Sequence, residues 1–138
     1  MPELKYLQEG SVQYLFWLRK ALEVAYRTDL VPEQKLVPFE KAYTELKVLV
    51  EGCDMVVVFN GTEEYAVCCL AYSQESHHVI GLGTVIQSMI SNSPPLTRRL
   101  LSVVKRLAKS VPEKQSWMYL TKRVGRYAYK GQYYELRS

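Results

Sequence analysis

The fold is decided by residues 53–72, CDMVVVFNGTEEYAVCCLAY. Two apolar runs, 53–59 and 64–72, flank Asn60-Gly61, the dipeptide that best suits a type I′ hairpin turn. The second run is apolar at nearly every position, so we expect both faces of its strand to be covered. The stretch therefore predicts an antiparallel hairpin whose second strand is buried on both faces.

Helical periodicity marks three other segments. Apolar residues recur at helical spacing in residues 11–26, which begin after Gly10, and in residues 38–50, which Gly52 ends. A third helix follows Pro94-Pro95 and closes at Val111-Pro112. Its predicted buried stripe is Leu96, Leu100, Leu101, Val103, Val104, Leu107 and Ala108.

Strand-like runs fill most of the remaining chain. They are residues 4–7, 79–89, 116–122, 125–130 and 132–137. In the second of these runs, Gly81 and Gly83 mark a bulge or a close backbone approach. Lys130-Gly131 is predicted to form a hairpin turn between the last two runs. The order is strand, two helices, three strands, helix, then two or three strands. We therefore predict a single α+β domain, residues 1–138, with about three helices packed on a mostly antiparallel sheet.

Charge divides the chain into two parts. Residues 93–138 carry eleven Lys or Arg against Glu113 and Glu135, a balance of +9, whereas residues 1–92 have a balance of −5. Opposed charges of this size favour docking onto an oppositely charged surface. Three cysteines, an odd number that includes the adjacent Cys68 and Cys69, indicate a reducing compartment. No apolar run approaches transmembrane length, so no membrane contact is expected.

The order of elements resembles the GNAT (GCN5-related N-acetyltransferase) fold. In that family a glycine-rich loop before the third helix holds the coenzyme A pyrophosphate on backbone N–H groups, as a helix N-terminus can. The matching residues 90–99, ISNSPPLTRR, contain no glycine, and Pro94 and Pro95 remove two donors. The resemblance thus implies a degenerate site, with no cofactor and no catalytic residue assigned. A first alternative to the non-catalytic role is an acetyl-CoA-dependent enzyme that uses Glu63 or Glu64 as a base, or Tyr119 or Tyr127 as a proton donor.

A narrower resemblance is to the small internal virion proteins of short-tailed, T7-type bacteriophages. It rests on residues 79–134, which include a Lys- and Arg-rich third helix and the run Trp117-Met118-Tyr119-Leu120. It implies a non-catalytic structural or assembly component in the virion or the host cytoplasm, whose partners are other virion proteins. A nucleic-acid-binding accessory protein is a second alternative.

The residues expected to bind a partner form two groups. On the third helix they are Arg98, Arg99, Lys105 and Arg106, beside Lys109, although a solvated helix face would have the same pattern. On the last strands they are Arg123, Arg126, Tyr127 and Lys130, although basic residues that guard a sheet edge would look alike. His77 and His78 are interpreted as turn residues rather than metal ligands, and Cys68 and Cys69 as small buried hydrophobes.

Overall fold

The sheet and helices are those of a computed structural model that describes residues 2–27, 38–123 and 129–136. The elements are β1 (Glu3–Leu7), α1 (Val12–Arg27), α2 (Phe39–Leu49), β2 (Asp54–Asn60), β3 (Glu64–Gln74), β4 (Gly83–Ser91), α3 (Pro94–Ser110), β5 (Trp117–Arg123) and β6 (Tyr129–Glu135). The predicted fold class, α+β with three helices and a mostly antiparallel sheet, is confirmed.

The six strands lie in the order β1-β2-β3-β4-β5-β6, and neighbours are antiparallel except for β4 and β5. These two are parallel because α3 carries the chain back along the sheet between them, as a parallel connection requires. Their register covers only Gly83 to Val85 against Trp117 to Tyr119. The two strands are thus joined at their beginnings alone.

Each face of the sheet has its own apolar core. On the α1/α2 face, Tyr14, Trp17 and Leu18 of α1 pack against alternate residues of β2 and β3. On the α3 face, Leu100 and Val104 are completely buried against the other alternate set of residues in β2 and β3. Cys69 belongs to the first core and Cys68 to the second, so the prediction that both faces of β3 are covered is confirmed.

The hairpin between β2 and β3 forms, but the predicted type I′ turn at Asn60-Gly61 is wrong. Asn60 is the last residue of β2 and pairs with Glu64, which leaves residues 61–63 as the loop. A type I′ turn needs a positive φ at both central residues, and Ser73 alone among the described non-glycine residues has one. The amide of Asn60 instead donates to the Glu64 carboxylate across the strands, at 3.2 Å from Nδ2 to Oε1.

The predicted hairpin turn at Lys130-Gly131 is also wrong, since both residues lie inside β6. They pair with Lys122 and Thr121 of β5. Gly131 is needed for close approach, because a Cβ there would overlap the Tyr119 hydroxyl. The predicted strand over residues 125–130 lies mostly outside the described residues.

The strand predicted over residues 79–89 begins four residues later, at Gly83. Gly81 has a φ of 94°, a left-handed conformation that interrupts an extended strand. The close backbone approach predicted for this segment is found at Gly83, where a Cβ would overlap the indole of Trp117. The Trp117 indole also donates from Nε1 to the Gly81 carbonyl at 3.0 Å.

Candidate binding surface

The exposed side of α3 forms a continuous basic face. Leu96, Leu100, Val103, Val104 and Ala108 turn toward the sheet. The opposite side carries five exposed cations, which we call the basic face of α3: Arg98, Arg99, Lys105, Arg106 and Lys109. They recur at intervals of three, four and seven residues and span about 16 Å of helix, at 1.5 Å per residue. The predicted exposure of all five is confirmed.

No acid of the described residues forms an ion pair with this face. The helix sequence, PPLTRRLLSVVKRLAKS, contains no Asp or Glu, and its first turn is without an acid. The two ion pairs within the described part of the chain both use Arg19 of α1, with Glu23 and Glu40. The positive charge of α3 is therefore not neutralised by the described fold.

One member of the basic face connects α3 to the edge strand β6. The Lys105 ammonium lies 5.0 Å from the centre of the Tyr134 ring, within cation–π distance. Tyr134 is half-buried against the α3 core, and Lys130 is exposed four residues earlier on the same strand. The sequence placed Tyr134 only within the predicted strand over residues 132–137. Its contact with Lys105 depends on β6 lying beside β5, which residue periodicity does not reveal.

The predicted partner-binding residues are thus brought together in part. Arg98, Arg99, Lys105 and Arg106 share one exposed helix face, and Lys130 lies on β6. Arg123 ends β5, but its side chain is outside the described residues. Arg126 and Tyr127 also lie outside them. Whether this second group joins the first remains a prediction.

The N-terminus of α3 has its backbone donors already occupied. Pro94 and Pro95 have no N–H, and the Leu96 N–H donates to the Ser93 hydroxyl at 3.4 Å. The Thr97 N–H makes the first hydrogen bond within the helix, to the Ser93 carbonyl at 2.9 Å. The N–H groups that precede Thr97 are the ones with which a helix start binds an anion. This helix start therefore has no spare amide for a pyrophosphate.

The backbone N–H groups of the turn before α3 are also occupied by hydrogen bonds. The Ser93 N–H donates to the Ser91 hydroxyl at 3.1 Å, and the Asn92 N–H to the Tyr65 carbonyl at 3.1 Å. The Asn92 side chain accepts from the Tyr65 N–H at 2.9 Å and donates to the Glu63 carbonyl at 2.8 Å. A surface cavity of about 500 Å³ lies beside this turn. It is lined by Ser91, Asn92, Ser93, Pro94, Thr97 and Arg98.

Three further groups of residues with reactive or titratable side chains are the cysteines of β3, the glutamates of the hairpin and the histidines before β4. Burial raises the pKa of the Cys69 thiol to about 12, and it also raises that of Cys68, so both thiols are protonated at neutral pH and poorly nucleophilic. Glu63 and Glu64 are exposed at the hairpin, as predicted, and His77 and His78 are exposed in the loop before β4. Within residues 2–27, 38–123 and 129–136, no three His, Cys, Asp or Glu side chains could hold a metal ion.

Comparison with known proteins gives no assignment, because no family model, curated protein or solved structure matches the chain. None of the described helices is long and apolar enough to cross a membrane.

Proposed function

We propose that this protein is a non-catalytic structural or assembly component that acts by protein–protein contact through the basic face of α3. The observation that carries the proposal is a helix face with five exposed cations and no acidic partner among the described residues. Arg98, Arg99 and Arg106 suit such a contact, because Arg is enriched in binding hot spots and pairs with carboxylates in two-pronged geometry. The resemblance to internal virion proteins suggests that the assembly is a bacteriophage particle.

A non-catalytic role is supported by the occupied start of α3. An acyl-CoA enzyme of the GNAT type would need main-chain donors there, and proline and Ser93 leave none spare. The protonated thiols of Cys68 and Cys69 do not suit a covalent mechanism.

An acetyl-CoA-dependent N-acetyltransferase is the second candidate, and the cavity of about 500 Å³ beside α3 is the observation in its favour. A ligand that binds only the native state must raise the melting temperature, by an amount that increases with its concentration. We expect no shift at millimolar acetyl-CoA. A concentration-dependent rise that Arg98→Gln weakens would support the enzyme instead.

Nucleic acid is the alternative partner for the same cations. Binding that neutralises several phosphates weakens steeply with salt, whereas a protein interface that also buries apolar area weakens less. We expect no binding of duplex or single-stranded DNA or RNA at about 150 mM salt. Tight binding there, with a steep dependence on salt, would favour the nucleic-acid role.

The proposal is tested by incorporation into particles. Phage particles grown with a tagged copy of the chain would be purified and the protein quantified by mass spectrometry. We expect the wild type in fixed stoichiometry, and about tenfold less of the variant in which Arg98, Arg99, Lys105 and Arg106 are all changed to Gln. The matched control, Lys41→Gln with Lys47→Gln, changes exposed lysines of α2 and should be incorporated normally. Absence of the wild type from particles would contradict the virion role, and equal incorporation of the Gln variant would contradict the assigned surface.

A further inference from the structure

The strand β1 forms one edge of the sheet, and its outer side pairs with no other described strand. Such an edge presents unpaired N–H and C=O groups to any segment that can extend the sheet. Proteins commonly protect these edges with a bulge, a proline, a very short strand or charged side chains. β1 is short and carries Lys5, but no bulge or proline interrupts it: its residues pair in unbroken register with β2, from Glu3 opposite Phe59 to Leu7 opposite Met55.

The side chains beside this edge are exposed on both faces. Leu7 belongs to the core of the α1/α2 face, so the alternation of a strand places Lys5 and Glu3 on that face and Tyr6 and Leu4 on the other. Leu4 and Tyr6 are 46% and 44% exposed, because α3 packs over β2, β3 and β4 and does not cover them. The edge therefore combines apolar surface on one face with two side chains of opposite charge, Glu3 and Lys5, on the other, where the Lys5 ammonium donates to Gln13 Oε1 at 3.4 Å.

We propose that β1 pairs antiparallel with β1 of a second copy of this chain, about a two-fold axis at Leu4. In this register Leu4 lies opposite Leu4 of the other copy, and each Glu3 lies opposite a Lys5, which forms two cross-strand pairs of opposite charge. Such pairs stabilise a sheet, whereas like charges directly opposite each other destabilise it. The register centred on Lys5 would place two lysines opposite each other and the one centred on Glu3 two glutamates, so charge favours the Leu4-centred register over both.

The other edge of the sheet, β6, has a different charge pattern. Its sequence YKGQYYE places Lys130 and Glu135 five positions apart, so the alternation of a strand puts them on opposite faces. Self-pairing of β6 therefore cannot place Lys130 opposite Glu135. Lys105 of the basic face of α3 contacts Tyr134 of β6, and α3 packs mainly on β2, β3 and β4 rather than on β1. A dimer through β1 leaves the basic surface of both copies free. The dimer is independent of the proposed function and is tested without a partner.

The test is a charge swap followed by sedimentation equilibrium of the full chain over a range of concentrations. We expect the wild type to dimerise, and Lys5→Glu or Glu3→Lys to raise the dimer Kd about tenfold or more, since each replaces two favourable pairs with two repulsive pairs. The double variant Glu3→Lys with Lys5→Glu restores opposite charges and should recover the wild-type Kd within about threefold. Lys41→Glu is the control with an exposed lysine away from the edge and should leave the Kd unchanged.

Three results would overturn the proposal: a wild type that stays monomeric at millimolar concentration, single variants that dimerise like the wild type, or a double variant as weak as the single ones. Circular dichroism of each variant shows whether it is folded. If one single variant fails to fold, the other reverses the same pair and gives the same test.

Discussion

Arg19 on α1 and the cations on α3 show two different uses of surface charge. The Arg19 guanidinium binds Glu40 at 2.6 Å and Glu23 at 3.2 Å, and its Cζ lies 5.0 Å from the centre of the Phe39 ring. No cation of the basic face of α3 forms an ion pair with a described acid, and Lys105 alone of its members has a described ring contact, with Tyr134. Charge on α1 thus ties α1 to α2, whereas charge on α3 has no ion-pair partner among the described residues.

The largest expected effect tests the premise that α3 is fixed on the sheet as firmly as α1. Leu100→Ala, at a fully buried position of α3, should lower the free energy of unfolding by about 2–5 kcal/mol. Trp17→Ala, at the contact of α1 with Phe59, should cost about 3–5 kcal/mol. Urea unfolding measures both changes. A neutral Leu100→Ala would mean that α3 does not pack as described, and the exposure of its basic face would lose its basis.

A smaller effect is expected at the junction of β4 and β5, which joins the last two strands to the rest of the sheet. Gly83→Ala places a methyl group into the Trp117 indole and should cost about 1–3 kcal/mol. Denaturant unfolding of Gly83→Ala, of Trp117→Phe and of the double variant gives the coupling free energy between the two positions. We expect the double variant to be less destabilised than the sum of the single ones, because the smaller ring relieves the overlap. Strict additivity would contradict the contact.

Because Arg19 is ion-paired and the cations of α3 form no ion pair with a described acid, replacing Arg19 and replacing α3 arginines should change stability in opposite directions. Arg19→Ala should lower the melting temperature, since it removes two ion pairs and the stacking on the rings of α2. Changing Arg98 and Arg106 to Ala should alter the free energy of unfolding by no more than about 0.5 kcal/mol each, and relief of like-charge repulsion favours a small gain. Calorimetry of Arg19→Ala and of the Arg98, Arg106 variant measures both changes in stability. A larger loss for the α3 variant would show that its cations serve the fold.

The smallest expected effect is on the pH dependence of stability. The hydrogen bond from Arg19 holds the pKa of the Glu40 carboxyl below its ordinary value of 4.5. A carboxyl whose pKa is lower in the folded state contributes stability at neutral pH, and that contribution is lost as pH falls through the folded pKa. Glu40→Gln should therefore be less stable than the wild type at pH 7, with the difference shrinking as the solution becomes acidic. A difference that is constant from pH 7 to pH 3 would contradict this coupling.

Sequence periodicity predicted the helices and the exposure of the basic face, because both follow from which residues of a helix can be buried. The stripe from Leu96 to Ala108 determines which side of α3 meets the sheet, and the cations occupy the other side. The two predicted hairpin turns failed because local preference was overridden. Asn60 is held in β2 by its pairing with Glu64, and Gly131 is required beneath Tyr119.

The features that could not be predicted all depend on which strands become neighbours. The parallel pairing of Gly83 with Trp117 and the contact of Lys105 with Tyr134 join residues far apart in sequence. No local pattern encodes them, since each depends on where α3 returns the chain to the sheet. The lack of free N–H donors at the start of α3 could be predicted in part. The sequence shows Pro94 and Pro95, which have no N–H, but it does not show that the Ser93 hydroxyl accepts from the Leu96 N–H.

The most direct test of the central claim is lysine footprinting of the free protein and of the assembled particle. Lys105 and Lys109 represent the basic face of α3, and the exposed Lys41 and Lys47 represent α2. If the cations of α3 contact a partner, acetic anhydride labelling of Lys105 and Lys109 should fall severalfold on assembly, while Lys41 and Lys47 keep their reactivity. Unchanged labelling of Lys105 and Lys109, with protection of the α2 lysines, would contradict the claim.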